Sequence, residues 1–368
     1  MKKDIIGFTI PEINSNDALE IIRKSLVKNF PNEGMLSQEF EKKLKKLLKV
    51  KYVVTTTSGT AALFLALKAI NIKKGDEVIV PNITFPATAN AVNMTGAKVV
   101  LADVSKKTLL LDFSSLKKKI TKKTKAIIPV HISGRGSNIR DLCVFAKKNK
   151  IKIVEDAAEA LGSKNNGKFL GSFGVCGCFS LAPNKIITTG QGGLVVTNYK
   201  NIYKKIKQLK DQGRSGTSHT INNYSFRGYN FKFTDLQAGL GLSQLKEFHN
   251  RSSKLKKIYK NYEKLIKEND KLKLIGFNIK IGELPLWIDL YCSKADKLFN
   301  YLKRKGINCR YFWTPINQMS VYKMSSKNFS NSNFLKNKLI WLPSPFNLKI
   351  KEQMKVCSLI NNFIEQNL

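Results

Sequence analysis

Hydrophobic positions along this chain follow two alternating periods. Residues 16–29 and 37–49 carry apolar side chains three and four apart, which predicts two amphipathic helices. Short β-branched and apolar runs at 53–56, 77–80, 98–103, 126–131 and 151–155 predict strands. Helix-length segments at 60–70, 85–95 and 138–149 separate them. Strand and helix in alternation point to a mostly parallel sheet with helices on both faces. Two more strands are expected at 175–180 and 193–197.

Beyond residue 210 the pattern changes. Residues 211–233 are rich in Gly, Ser and aromatics, and too polar at their start for a core element. Loops of this length in compact domains are usually functional or disordered. A long helix is predicted from 234 to about 267, and the break near 249–272 reads as a domain boundary. That divides the chain into a large domain, 1–249, and a small one, 250–368. In the small one, strands near 284–291 and 307–312 and helices at 294–305 and 350–366 read as α+β. The fold class is therefore α/β, a large, mixed but mostly parallel sheet flanked by helices, with a smaller C-terminal α+β domain. A chain of 368 residues has ample length for both.

The formal net charge of +38 invites a nucleic-acid reading, but the kind of basic residue argues against it. Of 64 basic residues only eight are arginine, the residue favoured for base readout and phosphate clamps. The lysines fall on the outer faces of helical patterns at 42–49, 117–125, 204–210 and 254–267, where solvation suffices. No nucleic-acid partner is expected. Six cysteines form no paired framework, and Cys176 and Cys178 share one face of a strand, a poor geometry for a bridge. Free thiols in a reducing cytosol are the expectation. The histidines at 131, 219 and 249 make no metal spacing, so no metal is expected. The start of the chain lacks an apolar signal segment and no apolar run reaches about 18 residues, so a cytoplasmic protein without membrane contact is expected.

One lysine stands apart from the rest. Lys185 lies between the apolar run ending at Ser180 and the glycine-rich Gly190-Gln191-Gly192-Gly193, where a surface lysine is out of place. Upstream, Asp156 ends a strand in Val154-Glu155-Asp156-Ala157-Ala158-Glu159-Ala160. A strand-end acid followed by Ser-x4-Lys is what pyridoxal phosphate chemistry requires. Lys185 bonds the cofactor's aldehyde carbon, Asp156 keeps the pyridine nitrogen protonated, and Ser180 takes a phosphate oxygen. Asp156, buried at a strand end, needs a cation, and the pyridinium N–H is one. Ser58-Gly59-Thr60 opens a helix after a strand, and its free N–H groups suit either a phosphate or an ordinary N-cap.

These segments resemble the DegT/DnrJ/EryC1/StrS family of pyridoxal phosphate-dependent sugar aminotransferases, closest in motif to its perosamine synthase-like, C4-acting members. Ser58–Leu63, Gly75–Pro81, Thr84–Ala91, Pro129–His131, Glu155–Ala160, Ser180–Gly193 and Gly228–Asn230 occur in the family's order and spacing. The resemblance implies the type I aminotransferase fold. It implies that Gly59 and Thr60 sit at the cofactor phosphate and that Phe85 stacks on the cofactor ring. Glu159 would stand near the cofactor's 3-oxygen face, unless it is a helix-surface acid. Asn230 would reach the phosphate in the neighbouring subunit, making a homodimer with shared sites the catalytic unit. It implies L-glutamate as amino donor and a nucleotide-linked keto sugar as acceptor, aminated at C4 rather than C3, for surface polysaccharide synthesis. Relatives that dehydrate sugars carry histidine at the position of Lys185, so a dehydratase is the second reading, and a non-catalytic polyanion-binding relative the third. Two positions depart from the family pattern, Lys232 in place of an arginine and Asn317 in place of a histidine. His131 reads as a satisfied core histidine or a catalyst, with the first preferred.

Overall fold

The computed structural model describes residues 5–9, 11–215 and 223–367. Its strands are β1 Tyr52–Thr56, β2 Glu77–Pro81, β3 Lys98–Ala102, β4 Thr124–Ile127, β5 Lys152–Asp156, β6 Lys164–Asn165, β7 Lys168–Phe169, β8 Cys176–Ser180, β9 Gly193–Thr197, β10 Leu272–Leu274, β11 Ile288–Cys292, β12 Arg310–Tyr311 and β13 Leu339–Leu342. Its α-helices are α1 Ser15–Leu26, α2 Met35–Leu48, α3 Gly59–Ala69, α4 Ala87–Met94, α5 Phe113–Lys119, α6 Ile139–Lys148, α7 Lys200–Lys210, α8 Asp235–Lys246, α9 Phe248–Leu265, α10 Ala295–Arg304, α11 Ser330–Leu335 and α12 Ile350–Asn367.

Seven strands form one sheet in the order β1-β9-β8-β5-β4-β2-β3. The five from β3 to β8 pair in parallel, and β9 runs antiparallel to both of its neighbours. β1 therefore points the same way as β5 and β8. Helix α3 is apolar nearly all round, with Ala62, Leu65, Ala66 and Leu67 fully buried, as a helix must be when it lies behind a sheet and under other helices. A second, wholly antiparallel sheet, β10-β11-β13-β12, carries α10 and α12. The α/β class, the mixed sheet and the separate C-terminal sheet thus agree with the sequence pattern.

The two sheets are joined by polar contacts as well as by packing. Arg135, just past the parallel strand ends, donates to the Asp289 carboxylate on β11 and to the carbonyls of Ile275 and Gly276, and lies over the Phe277 ring. Both charges are buried, so removing either partner alone would strand the other at a cost of about 3–5 kcal/mol. Gly134, at φ +100°, lets this turn approach so closely that a Cβ would overlap the Leu284 carbonyl.

One local expectation needs correction. The long helix from 234 is two helices, α8 and α9, meeting at Glu247, whose N–H turns back to Gln244 and Leu245 instead of continuing the α ladder. No helix follows Asp156, because residues 157–163 form tight turns closed by Ala160 N–H to Ala157 and Ser163 N–H to Ala160. The 211–233 segment folds back on itself through bridges between Asp211 and Asn230 and between Arg214 and Tyr224. Its centre, residues 216–222, lies outside the described residues, and with it His219. All six cysteines are unpaired. Among the described residues no helix is long and apolar enough to cross a membrane, and no cluster of side chains could hold a metal ion.

Candidate active site

In open α/β sheets, ligands bind in the crevice beyond the carboxyl ends of the strands. Here β1 ends just before Ser58, β5 ends at Asp156 and β8 ends at Ser180, all on the same edge of the sheet. That edge and the second sheet enclose a cavity of about 320 Å³. Gly59, Thr60, Phe85, Asp156, Glu159, Ser180 and Lys185 all line it. Asn230, the eighth predicted site residue, is exposed and outside the lining of its own chain's cavity.

Asp156 retains only 5% exposure. Thr88 donates its hydroxyl to one carboxylate oxygen at 2.7 Å, and Ala158 N–H donates to the other at 3.1 Å. Thr84 Oγ1 lies 3.0 Å from Thr88 Oγ1, which extends the chain of hydroxyls. Burial pushes the Asp156 pKa up, and the Thr88 and Ala158 hydrogen bonds and the Lys185 charge pull it part of the way back. Among the described residues no cation lies within ion-pair range of it.

Lys185 stands in the turn after β8, its own N–H bonded to Ala182 O at 3.0 Å. The side chain is 11% exposed, with Nζ 3.7 Å from Glu159 Oε1 and 4.6 Å from the centre of the Trp287 ring. Burial lowers its pKa and the charges of Glu159 and Asp156 oppose the shift, which brings the ammonium closer to a free amine. Glu159 accepts the Ser133 N–H at 2.7 Å, and burial raises its pKa to about 7 against the pull of Lys185 and that hydrogen bond. It is a buried acid at a turn, not on a helix surface.

A raised carboxyl pKa stabilises the fold below the ordinary value near 4.5, and this stability is lost as pH rises through about 7. Between those limits the cofactor-free protein should lose stability relative to Glu159→Gln, by at most about 3 kcal/mol. Urea unfolding of both proteins across that range tests this. Curves that stay parallel would place the Glu159 pKa at its ordinary value.

The opposite lip of the cavity is backbone. Ser58 Oγ caps α3 by accepting Ala61 N–H at 3.1 Å, so the N-cap reading of Ser58 holds. The first N–H groups of a helix have no partner within it, and here these belong to Gly59 and Thr60 on the cavity wall. A Cβ on Gly59 would stand 3.1 Å from that of Ser180. Gly193 pairs with both Thr56 and Ser180, and a Cβ there would overlap the Ser58 carbonyl. The glycines bring helix start, serine hydroxyl and strand end together in a small cradle with free N–H donors.

This set fits pyridoxal phosphate: an anion cradle at the α3 start, a buried acid lacking a cation, and a desolvated lysine. Trp287 adds a buried Nε1–H with no partner among the described residues.

The far wall was not foreseen. The chain has three tryptophans, 287, 313 and 341, and all three line the cavity together with Phe8 and Arg310. Phe85 is 56% exposed, its ring 6.0 Å from that of Trp313. Trp341 is fixed by donating its Nε1–H to Asp289 at 2.6 Å. His131 is a core residue: Nε2 meets Glu155 at 2.8 Å, Nδ1 meets the Arg135 carbonyl at 3.1 Å, and it does not line the cavity. Asn317 is buried in paired hydrogen bonds with Asn82, and Lys232 is held by Asp211 at 2.9 Å.

The sequence profile of the DegT/DnrJ/EryC1/StrS aminotransferase family matches residues 12–361. The chain is 34% identical over 336 residues to a GDP-perosamine synthase of Escherichia coli O157:H7, covering 90% of this chain and 91% of the relative. It is 31% identical over 328 residues to a UDP-4-amino-4,6-dideoxy-N-acetyl-beta-L-altrosamine transaminase of Campylobacter jejuni, covering 87% and 86%. A Streptococcus pneumoniae protein solved in its PLP form superposes with a TM-score of 0.91 at 25% identity, over 99% of this chain and 100% of that one.

Proposed function

The chain belongs to the DegT/DnrJ/EryC1/StrS aminotransferase family, and from that premise we propose that it moves the amino group of L-glutamate to C4 of a nucleotide-linked 4-keto-6-deoxyhexose. It is a pyridoxal phosphate-dependent sugar aminotransferase that acts on nucleotide sugars. The C4 assignment draws support from the relative that acts on a 4-amino-4,6-dideoxy sugar and from the buried Glu159.

Gly59, Thr60 and Ser180 would hold the phosphate, Asp156 the ring nitrogen, Phe85 the ring face and Lys185 the aldehyde carbon. When bound, the cofactor supplies an electron sink for the carbon that gives up or receives the amine. Asp156 keeps the ring nitrogen protonated, and Thr88 holds the carboxylate in place from behind. Lys185 Nζ takes the proton from the amine-bearing carbon of the donor and returns one to the sugar carbon. Its lowered pKa suits a base, and Glu159, 3.7 Å away, keeps the amine directed inward. The tryptophan wall excludes water and offers flat apolar faces to a sugar ring.

The observation that carries the reading is the meeting of Lys185, Glu159 and Asp156 in one cavity with the α3 start. Its test is single-turnover amination by the amine-loaded enzyme across GDP-, UDP- and dTDP-linked 4-keto and 3-keto sugars. A 4-keto-6-deoxy sugar should react at least tenfold faster than any 3-keto sugar. Preference for a 3-keto sugar would overturn the C4 assignment.

The dimer is part of the proposal. Asn230 is exposed, outside its own cavity and tied to Asp211 at the base of the returning loop, as a residue serving a neighbouring subunit would be. Inactive Lys185→Ala chains mixed with inactive Asn230→Asp chains should regain activity in hybrid dimers, because one site of each hybrid is then intact. No recovery in verified hybrids would place Asn230 in service of its own chain.

A further inference from the structure

Among the described residues lining the cavity, only Lys185 and Arg310 carry positive charge, against two acids, Asp156 and Glu159. Lys185 already faces Glu159. Arg310 is on β12, the edge strand of the second sheet, and lines the same cavity as Asp156. Among the described residues it has no carboxylate within ion-pair range, and its contact is a cation–π one, the guanidinium 5.0 Å from the centre of the Phe8 ring. An exposed cation–π pair is weak, so the fork is positioned yet uncommitted.

An amino acid donor must bring at least one carboxylate into this same cavity, close to two acids. A carboxylate taken out of water needs a cationic or hydrogen-bonding partner. A guanidinium meets it with two parallel N–H donors. Lys232 is held by Asp211 and does not line the cavity. We infer that Arg310 is the residue that binds a carboxylate of the amino donor, while the Trp287, Trp313 and Trp341 wall receives the uncharged sugar ring. One cavity thus reads two unlike substrates by two different surfaces. The inference rests on the amino-donor half of the reading above.

The experiment follows the two half-reactions separately in the holoenzyme, by the absorbance change of the cofactor. In Arg310→Gln the half-saturating L-glutamate concentration should rise about 10- to 100-fold, the range of a charge-assisted hydrogen-bonded pair. The limiting rate should fall much less, and the loss in kcat/KM for glutamate should exceed that for the keto sugar at least tenfold. Arg310→Lys should lie between, keeping the charge and losing the fork. A second readout needs no turnover. Glutarate should quench the fluorescence of the three cavity tryptophans in the native holoenzyme, and the response should be lost in Arg310→Gln. Equal losses in the two half-reactions, or unchanged glutarate binding, would overturn the inference. If the native enzyme does not accept nitrogen from glutamate, the donor assignment fails, and the glutarate titration still decides for or against Arg310.

Discussion

Lys185→Ala should abolish transamination, with a residual rate at least about ten-thousandfold below the native one, while the fold survives. The proton-transfer role alone accounts for about 10²- to 10⁴-fold. Loss of the amine that bonds the cofactor adds to this. No neighbour can substitute. The other cation of the cavity, Arg310, does not give up its proton, and the remaining lining residues bear no amine. Removing Lys185 leaves no buried amide or strand contact broken beyond its turn, and the Glu159 it faced becomes neutral at a cost its raised pKa already reduces. The check is steady-state turnover together with the thermal unfolding midpoint. Transamination within a hundredfold of native would remove Lys185 from its assigned role.

Asp156→Asn should retain cofactor yet lose about a thousandfold in turnover, equivalent to about 4 kcal/mol in the barrier. The amide is close to the carboxylate in size; its oxygen can still accept the Ala158 N–H while its NH2 donates to the Thr88 hydroxyl, which turns its own hydrogen toward Thr84, so packing at the end of β5 is preserved. What it cannot do is hold a proton on the ring nitrogen, and without that charge the electron sink fails. Retained cofactor is measured by absorbance after gel filtration, and turnover under saturating donor and sugar. A loss below tenfold would make Asp156 a strand-end acid whose burial serves the fold alone.

Much of this was legible in the sequence because it is local. Continuous apolar runs, as strands covered on both faces carry, gave β1, β2, β3, β5, β8 and β9 to within a residue at each end, whereas the run at 126–131 overshot β4, which ends at Ile127. The cavity's cofactor side was legible for the same reason. Asp156, Ser180, Lys185 and the Ser58–Thr60 turn sit at strand ends, where strand direction alone brings them to one edge. The tryptophan wall and Arg310 were not legible. They come from β11, β12, β13 and their loops, and nothing in their spacing says which side of the second sheet faces the first. Their placement depends on the buried Arg135–Asp289 pair, formed by residues 154 positions apart. Thr88 lay inside a recognised motif, yet its hydrogen bond to Asp156 crosses from α4 to β5, a relation only the fold supplies. The alternative of a helix-surface position for Glu159 failed because Gly162, at φ +92°, and the packing of its turn against Phe248 favour a sharp return of the chain over a helix.

The most direct test of the account is the fate of the donor nitrogen. The holoenzyme is supplied with ¹⁵N-labelled L-glutamate and a nucleotide-linked 4-keto-6-deoxyhexose, and the sugar product is read by NMR. The account predicts the label in an amine on C4, at one nitrogen per sugar. A product without the label, whether deoxygenated or unchanged, would contradict it.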